Sequence, residues 1–193
     1  SLLVGLEYAK ALAWAHHLPL IPVHHIAGHI HAPFLVFDEI PLPAIALVVS
    51  GGHTSIFLMR ELGAYELLSR TRDDAAGEAY DKVAKLLGLG YPGGPIIDKL
   101  AASGRDDAFF FKMAKMSDGK PDFSFSGLKT AVLHHVRKEG IAPCESSDAV
   151  PECVRDLLAS FQKAVVVSLL HRLKAAVALH NPASVILTGG VAA

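Results

Sequence analysis

The chain has 193 residues, of which 51% are hydrophobic and 19% are charged, a composition that excludes a disordered protein and is sufficient for a buried core. A formal net charge of -1 argues against a surface coated with basic residues for nucleic acid, but it does not exclude a local basic patch or a partner that supplies one. Every apolar run is shorter than the roughly 18 residues of a membrane helix, and two cysteines are too few for a disulfide framework. We therefore expect a soluble, cytoplasmic protein that does not contact membranes.

Hydrophobic periodicity and turn residues divide the chain into helices and strands. The uninterrupted apolar run AIALVVS is typical of a strand buried on both faces, and the Gly51-Gly52 turn that follows predicts a hairpin. The order, a hairpin sheet, then helices, then a strand that enters a glycine turn, predicts a mixed α/β fold. In chain order, the predicted elements are a helix at 2–17, a strand at 19–23, a helix at 24–33, strands at 44–50, 53–60 and 65–70, helices at 75–88, 95–103, 126–138 and 152–180, and a strand at 184–188.

Both ends of the chain lie inside a predicted element. The sequence opens within a helical pattern that has no capping residue beyond Ser1. It closes on SVILTGGVAA, a strand and glycine turn whose following helix has barely begun. We therefore expect a fragment of a longer protein.

Glycine pairs follow two predicted strands, in VVSGGHT at 48–54 and in LTGGVAA at 187–193. Glycine lets a ligand approach the backbone closely, so such turns are suited to bind phosphate, especially where a helix begins. Neither stretch is a Walker loop or a GxGxxG fingerprint, and an ordinary turn is the alternative for each. Two such elements in one chain resemble the actin, sugar-kinase and Hsp70 type of nucleotide-binding fold.

Acidic residues and serines offer further candidate positions. Asp73 and Asp74 are placed to cap a helix at its positive end, whereas Asp81 lies further into that helix. Asp81 and Asp98 flank a Gly-Gly turn and are suited to accept hydrogen bonds from sugar hydroxyls, with solvated helix faces as the alternative. In DFSFSGLKTAV, Ser124 or Ser126 is predicted to cap the helix that contains Lys129, and no G-x-S-x-G nucleophile motif is present in that stretch.

The histidine-rich stretch HHIAGHIH spans residues 24–31. His25 and His29 are four residues apart, so on a helix they share a face and are spaced to chelate one metal ion. The alternative is that these are surface or core histidines that bind no metal. Two protein ligands are also too few for a catalytic metal site, which needs a third. The zinc-protease pattern H-E-x-x-H needs a glutamate where this chain has Ile26.

Taken together and in this order, these segments resemble the bacterial type of the TsaD (glycoprotease-like) family, which takes part in the synthesis of threonylcarbamoyladenosine in tRNA. The resemblance implies the actin-like ATPase fold (ASKHA, RNase H-like), here truncated at both ends. It places residues 1–42 in the C-terminal part of a first lobe and residues 43–193 in a second lobe. The matching stretches are VGLEYAKALAWA, IPVHHIAGHIHAP, VVSGGHT, DDAAGEAYDKVAKLLGLGYPGGP, DFSFSGLKTAV and LTGGVAA.

The resemblance also implies an activity. Family members are tRNA N6-adenosine threonylcarbamoyltransferases, which move the threonylcarbamoyl group from threonylcarbamoyl-AMP to N6 of adenosine 37 in tRNAs that read ANN codons, and release AMP. The implied partners are tRNA and proteins of the TsaB and TsaE type. A metalloprotease, as in the older glycoprotease description, and a non-catalytic actin-fold scaffold paralogue are the alternatives; such paralogues tend to lose the metal histidines.

Site residues follow from the resemblance by position. It implies one divalent metal per subunit, iron(II) or zinc, bound by His25 and His29, with an aspartate beyond the C-terminus of this chain as third ligand. The sequence gives no evidence for a general base that deprotonates the adenine amine, and no residue is assigned as an acid or base catalyst. Bacterial relatives often have glutamate where this chain has Ala27, a position that is not a ligand. The implied substrate-binding residues are Val48, Val49, Ser50, Gly51, Gly52, Asp81, Gly94 and Asp98.

Overall fold

The computed structural model describes residues 2–144 and 149–192. These residues form a mixed α/β structure, as predicted, with a four-stranded sheet and helices on both of its faces. A short 3-10 helix, Ala32–Leu35, follows the second α-helix. The elements are α1 (Leu2–Ala15), α2 (His25–His31), β1 (Ala44–Val49), β2 (Thr54–Glu61), β3 (Ala64–Arg70), α3 (Ala76–Leu86), α4 (Gly93–Ala101), α5 (Ser126–Lys138), α6 (Glu152–His180) and β4 (Ser184–Thr188).

The sheet has the strand order β3-β2-β1-β4. β1 and β2 form the predicted antiparallel hairpin, whose last pair is Val49 and Thr54. β4 runs parallel to β1, with Val48 opposite Thr188. Because parallel strands end at the same edge of a sheet, the glycine turns that follow β1 and β4 emerge side by side.

The residues of β1 alternate between two apolar cores, and all six are buried, as predicted for this strand. Ile45, Leu47 and Val49 face the larger core, which is shared with α3, α4, α5 and α6. Ala44, Ala46 and Val48 face the smaller core, which contains two buried isoleucines of α2. The sheet therefore separates α2 from the helical block.

The N-terminal segment differs from the prediction. Residues 19–23, which the structure describes in full, form no strand. Pro19 and Pro22 remove two of the amide donors that a sheet pairing would need, which explains why this apolar stretch stays irregular. Along α1 the large apolar side chains from Leu3 to Trp14 are exposed, and Trp14 is 83% exposed.

Element boundaries shift by a few residues. α4 begins at Gly93 rather than at 95, and α2 ends at His31 before the 3-10 turn. Within residues 2–144 and 149–192, no helix is both long and apolar enough to cross a membrane. The division at residue 42 into two lobes stays a prediction.

Candidate active site

The two glycine turns pack directly against each other. Gly189 has φ +101°, and a Cβ added there would lie 2.2 Å from the carbonyl oxygen of Val49. That same oxygen accepts a hydrogen bond from the N–H of Val191 at 3.1 Å. Only glycine combines this backbone conformation with such a close approach, so the second turn is fixed against the end of β1.

The N-terminus of α3 packs onto the first turn. A Cβ added at Gly77 would lie 2.7 Å from the Gly51 Cα and 2.9 Å from the Ser50 carbonyl oxygen. The N–H of Ala76 donates to the buried Thr54 hydroxyl at 2.9 Å. The positive end of an 11-residue helix thus meets the Gly51-Gly52 turn, an arrangement suited to a phosphate group.

A cleft of about 610 Å³ opens between these turns and helices α3, α4 and α6. Of the residues predicted to bind substrate, four line it: Gly51, Asp81, Gly94 and Asp98. Val48 and Val49 lie within the sheet and are almost fully buried as whole residues, so neither lines the cleft. Gly190 and Val191, from the second predicted glycine turn, also line the cleft. The lining residues that the sequence did not single out are Gly77, Tyr80, Tyr91, Pro92, Pro95, Gln162 and Val166.

Each of the two carboxylates in the cleft is held by one hydrogen bond. Asp81 Oδ1 accepts from the Gly93 N–H at 2.8 Å, so Asp81 caps α4 from within α3. Asp98 Oδ1 accepts from Gln162 Nε2 at 2.8 Å. Within residues 2–144 and 149–192, neither Oδ2 atom accepts a hydrogen bond, so both are available to a ligand hydroxyl.

Tyr80 is the buried aromatic residue of the cleft. Its ring packs edge-on against Phe161, with the centroids 5.2 Å apart. Burial raises the pKa of Tyr80 well above its usual value, and the negative charge of Asp98 raises it further. Tyr80, like any tyrosine, is an uncharged phenol at neutral pH, and its raised pKa moves it further from ionisation.

The predicted helix caps in this region were wrong. The N-cap of α3 is Ala75, and Asp74 pairs instead with Lys82, Oδ1 to Nζ, at 2.5 Å. Neither serine caps α5, whose N-cap is Phe125. Asp73 takes that role from a distant loop, because its Oδ1 accepts from the N–H groups of Phe125 at 2.9 Å and Ser126 at 3.3 Å.

The hydroxyls of Ser124 and Ser126 also donate to Asp73, at 2.5 and 2.7 Å. Burial by itself would raise the pKa of Asp73, but these hydroxyl bonds and the backbone bonds outweigh it, so the pKa lies below its usual value. A local sequence pattern could not show this contact, since the partners are about 50 residues apart.

The two candidate metal ligands lie side by side on α2. The rings of His25 and His29 have centroids 4.6 Å apart and are inclined at 70°. Ile26 and Ile30 are buried in the smaller core, so α2 presents the histidines away from the sheet. The position after His25 therefore points into the core, and no glutamate is available there for protease chemistry.

His53 lies beside this pair and was not assigned a role from the sequence. Its ring centroid is 5.7 Å from that of His25. Partial burial lowers the pKa of His53, and the neighbouring His25, His29 and His24 lower it further. Its position directly after Gly51-Gly52 is the sequence signal that could have marked it.

The donor chemistry of His25 and His29 fits part of a metal site. Neutral imidazoles at i and i+4 suit iron and zinc alike. Among the residues that the structure describes, no group of three or more His, Cys, Asp or Glu is placed to hold a metal ion, so His53 does not complete the site. A metal ion bound by His25 and His29 would therefore need a further ligand.

Comparison with known proteins identifies the family. The family model described as TsaD, tRNA N6-adenosine threonylcarbamoyltransferase, matches residues 1–193. The chain belongs to the TsaD family. The fold of the TsaD family is the actin-like ATPase fold, and the mixed α/β sheet agrees with the predicted fold class.

Curated relatives in the TsaD family bear the same description. The chain is 49% identical over 193 residues to the tRNA N6-adenosine threonylcarbamoyltransferase of Clostridium kluyveri, covering all of this chain and 55% of that protein. It is 49% identical to the protein of that name from Thermodesulfovibrio yellowstonii, covering 57% of it. The Moorella thermoacetica protein is 49% identical over 196 residues, with 55% of its length covered. The chain therefore spans little more than half the length of the TsaD relatives it matches.

Proposed function

We propose that this chain contains part of the catalytic site of a tRNA N6-adenosine threonylcarbamoyltransferase. The enzyme transfers the threonylcarbamoyl group from threonylcarbamoyl-AMP to N6 of adenosine 37 in tRNAs that read ANN codons, and releases AMP. The main support is the convergence of two glycine turns, a helix N-terminus and two carboxylates on one cleft. Membership of the TsaD family supports the same reaction.

The cleft residues are suited to bind the adenylate. Asp81 and Asp98 each have one carboxylate oxygen available, and two such acceptors match the two hydroxyls of a ribose. The backbone N–H groups of the Gly51-Gly52 turn, next to the N-terminus of α3, are suited to contact the phosphate. In this proposal the cleft holds the leaving AMP in place while the acyl group is transferred.

The reaction is acyl transfer from a mixed anhydride to an exocyclic amine. The N6 nitrogen attacks the carbonyl carbon, a C–N bond forms, the C–O bond to phosphate breaks, and the amine loses one proton. AMP is a good leaving group, so positioning and electrostatic stabilisation account for the rate enhancement, and we assign no acid or base.

We also propose that His25 and His29 bind one divalent metal, iron(II) or zinc, with an aspartate from the rest of the protein as third ligand. Such an ion, when bound, supplies a Lewis acid that polarises the carbonyl of the threonylcarbamoyl group. This chain contributes the two imidazoles of His25 and His29, whose ring centroids lie 4.6 Å apart on α2.

The proposed partners are tRNA and proteins of the TsaB and TsaE type, and the proposed location is the cytoplasm. A formal charge of -1 is consistent with partner proteins that supply part of the basic surface for tRNA. Loss of tRNA binding when the TsaB-type and TsaE-type proteins are omitted from a binding assay would support this division of roles.

The nucleotide part of the proposal is tested by calorimetric titration of the full chain with AMP. We expect saturable binding that Asp98→Asn weakens at least tenfold, because hydrogen bonds to a charged group contribute about 1.5–3 kcal/mol. The matched control is Asp38→Asn, at an exposed aspartate that does not line the cleft. Equal AMP affinity in both variants would contradict the assigned role of Asp98.

The activity is tested in cells depleted of the native protein. Mass spectrometry of their tRNA should show threonylcarbamoyladenosine restored by the wild-type protein and not by the His25→Ala/His29→Ala double variant. Normal modification with the double variant would favour a non-catalytic scaffold and would refute the metal role. Cleavage of glycoprotein without tRNA modification would favour the metalloprotease alternative.

A further inference from the structure

Helix α2 positions the histidine pair, His25 and His29, yet it has little structure of its own to fix its orientation. It has 7 residues, which is two turns, and its cap has no side-chain hydrogen bond. The sheet surface beneath it includes Ala44 and Ala46, whose small side chains resist sliding or rotation of a helix only weakly. Apolar packing is also non-directional, so it does not by itself determine where the two imidazoles point.

A directional contact comes from the last residue of β4. The Thr188 hydroxyl donates a hydrogen bond to the backbone carbonyl of His29 at 2.9 Å. Thr188 is half-buried and lies opposite Val48 in the parallel ladder, so its own backbone is fixed by the sheet. The bond therefore ties one histidine of the pair, through its main chain, to the central strands.

A second directional contact comes from the opposite edge of the sheet. The Tyr65 hydroxyl on β3 is hydrogen bonded to His31 Nε2, and the two rings meet edge to face at 88° with centroids 5.9 Å apart. His31 is the last residue of α2, two positions beyond His29. Since β3 and β4 are the two outer strands of the described sheet, the two contacts hold α2 from opposite sides.

We propose that Thr188 and Tyr65 are positioning residues for the histidine pair. The inference rests on the metal role proposed above for His25 and His29. Two imidazoles on one helix bind the same ion only when both rings converge on it, and an error of about 0.5 Å or 10–20° in such a site weakens binding. Thr188 and Tyr65 set the rotation and position of α2 on the sheet, and in this way they set the convergence of the rings.

The proposal is tested by calorimetric titration of the full chain with zinc ion alone. Thr188→Val removes the hydroxyl and keeps the side-chain shape, and Tyr65→Phe keeps the ring. We expect each to weaken zinc binding about fivefold, which corresponds to one net hydrogen bond, and the double variant to weaken it more. Thr188→Ser keeps the hydroxyl and loses the methyl, so it should bind zinc within about twofold of wild type if the hydroxyl is the group that matters.

The chain provides matched controls. The Thr130 hydroxyl donates to the Ser126 carbonyl at 3.1 Å on α5, so Thr130→Val removes a comparable bond away from α2. Tyr8 is 68% exposed on α1, which makes Tyr8→Phe the counterpart of Tyr65→Phe. Both controls should bind zinc as wild type does.

The outcomes separate the two proposals. Zinc affinity that is the same in wild type and in His25→Ala/His29→Ala overturns the metal role and this inference with it. Zinc binding that depends on the pair but is unchanged in Thr188→Val and Tyr65→Phe overturns this inference alone. Circular dichroism shows whether Thr188→Val is folded. If it is not, an unchanged zinc affinity in Tyr65→Phe is sufficient to overturn the positioning role.

Discussion

The contact between Gly77 and the Gly51-Gly52 turn leads to a specific stability prediction for Gly77→Ala. The added Cβ would meet the Gly51 Cα at 2.7 Å, the Ser50 oxygen at 2.9 Å and Val191 Cγ2 at 2.9 Å. Two of these neighbours are backbone atoms of the turn, so relief requires the turn or α3 to move. Overpacking of this kind costs about 1–3 kcal/mol, and the better helix propensity of alanine returns at most about 1 kcal/mol. We expect a net loss of roughly 1–2 kcal/mol in the free energy of unfolding.

Gly127→Ala is the matched control. Gly127 is the second residue of α5, as Gly77 is the second residue of α3, and a Cβ added at Gly127 meets nothing within 4 Å. Only the propensity term applies, so this variant should be neutral or more stable by up to about 1 kcal/mol. Urea unfolding of both variants, followed by far-ultraviolet circular dichroism, measures the difference. Equal stability of the two variants would refute the packing argument.

Three further predictions concern other parts of the site. Gly189→Ala should lower the free energy of unfolding by more than about 2 kcal/mol in the same urea assay. The new side chain would have to adopt φ +101°, and its Cβ would lie 2.2 Å from the Val49 carbonyl oxygen. A smaller loss than in Gly77→Ala would contradict this. Asp73→Ala should lose about 1 kcal/mol at pH 7, the size of a helix cap. Folding lowers the pKa of Asp73, so its stabilisation is present above the ordinary value of 3.8 and is lost as pH falls through the folded-state pKa; a wild-type advantage that persists at pH 2 would count against it. The pKa of His53, measured by NMR on the metal-free chain, should lie below 6.5 and should rise when His25 and His29 are replaced by alanine. Because folding lowers this pKa, protonation of His53 favours unfolding below pH 6.5, whereas above pH 6.5 the residue does not affect stability. An unchanged pKa in the double variant would show that partial burial alone lowers it.

Much of the secondary structure was predictable because it depends on local patterns. The strand AIALVVS has no polar residue before its last position, and a strand of that kind is stable only when buried on both faces, as β1 is. The run PLIPV misled the prediction, since apolar residues suggest a strand whether or not a neighbouring strand is available to pair with them. Sheet formation is a tertiary event, and prolines weaken it further.

The site was predictable only in part, because only some of its features depend on local sequence. Spacing within one helix determines that His25 and His29 share a face, so the sequence by itself was sufficient to pair them. It also marked Gly51, Asp81, Gly94 and Asp98, which the structure places around one cleft.

Contacts between residues far apart in the chain were decided by the tertiary structure. Examples are the bond from Thr188 to His29, across 159 residues, and that from Gln162 to Asp98, across 64. Asp73 shows the limit most clearly, because its sequence position suited a cap for α3, whereas folding brings it to α5. Local sequence determines which groups a segment offers, and packing of the sheet and helices determines which partners those groups meet.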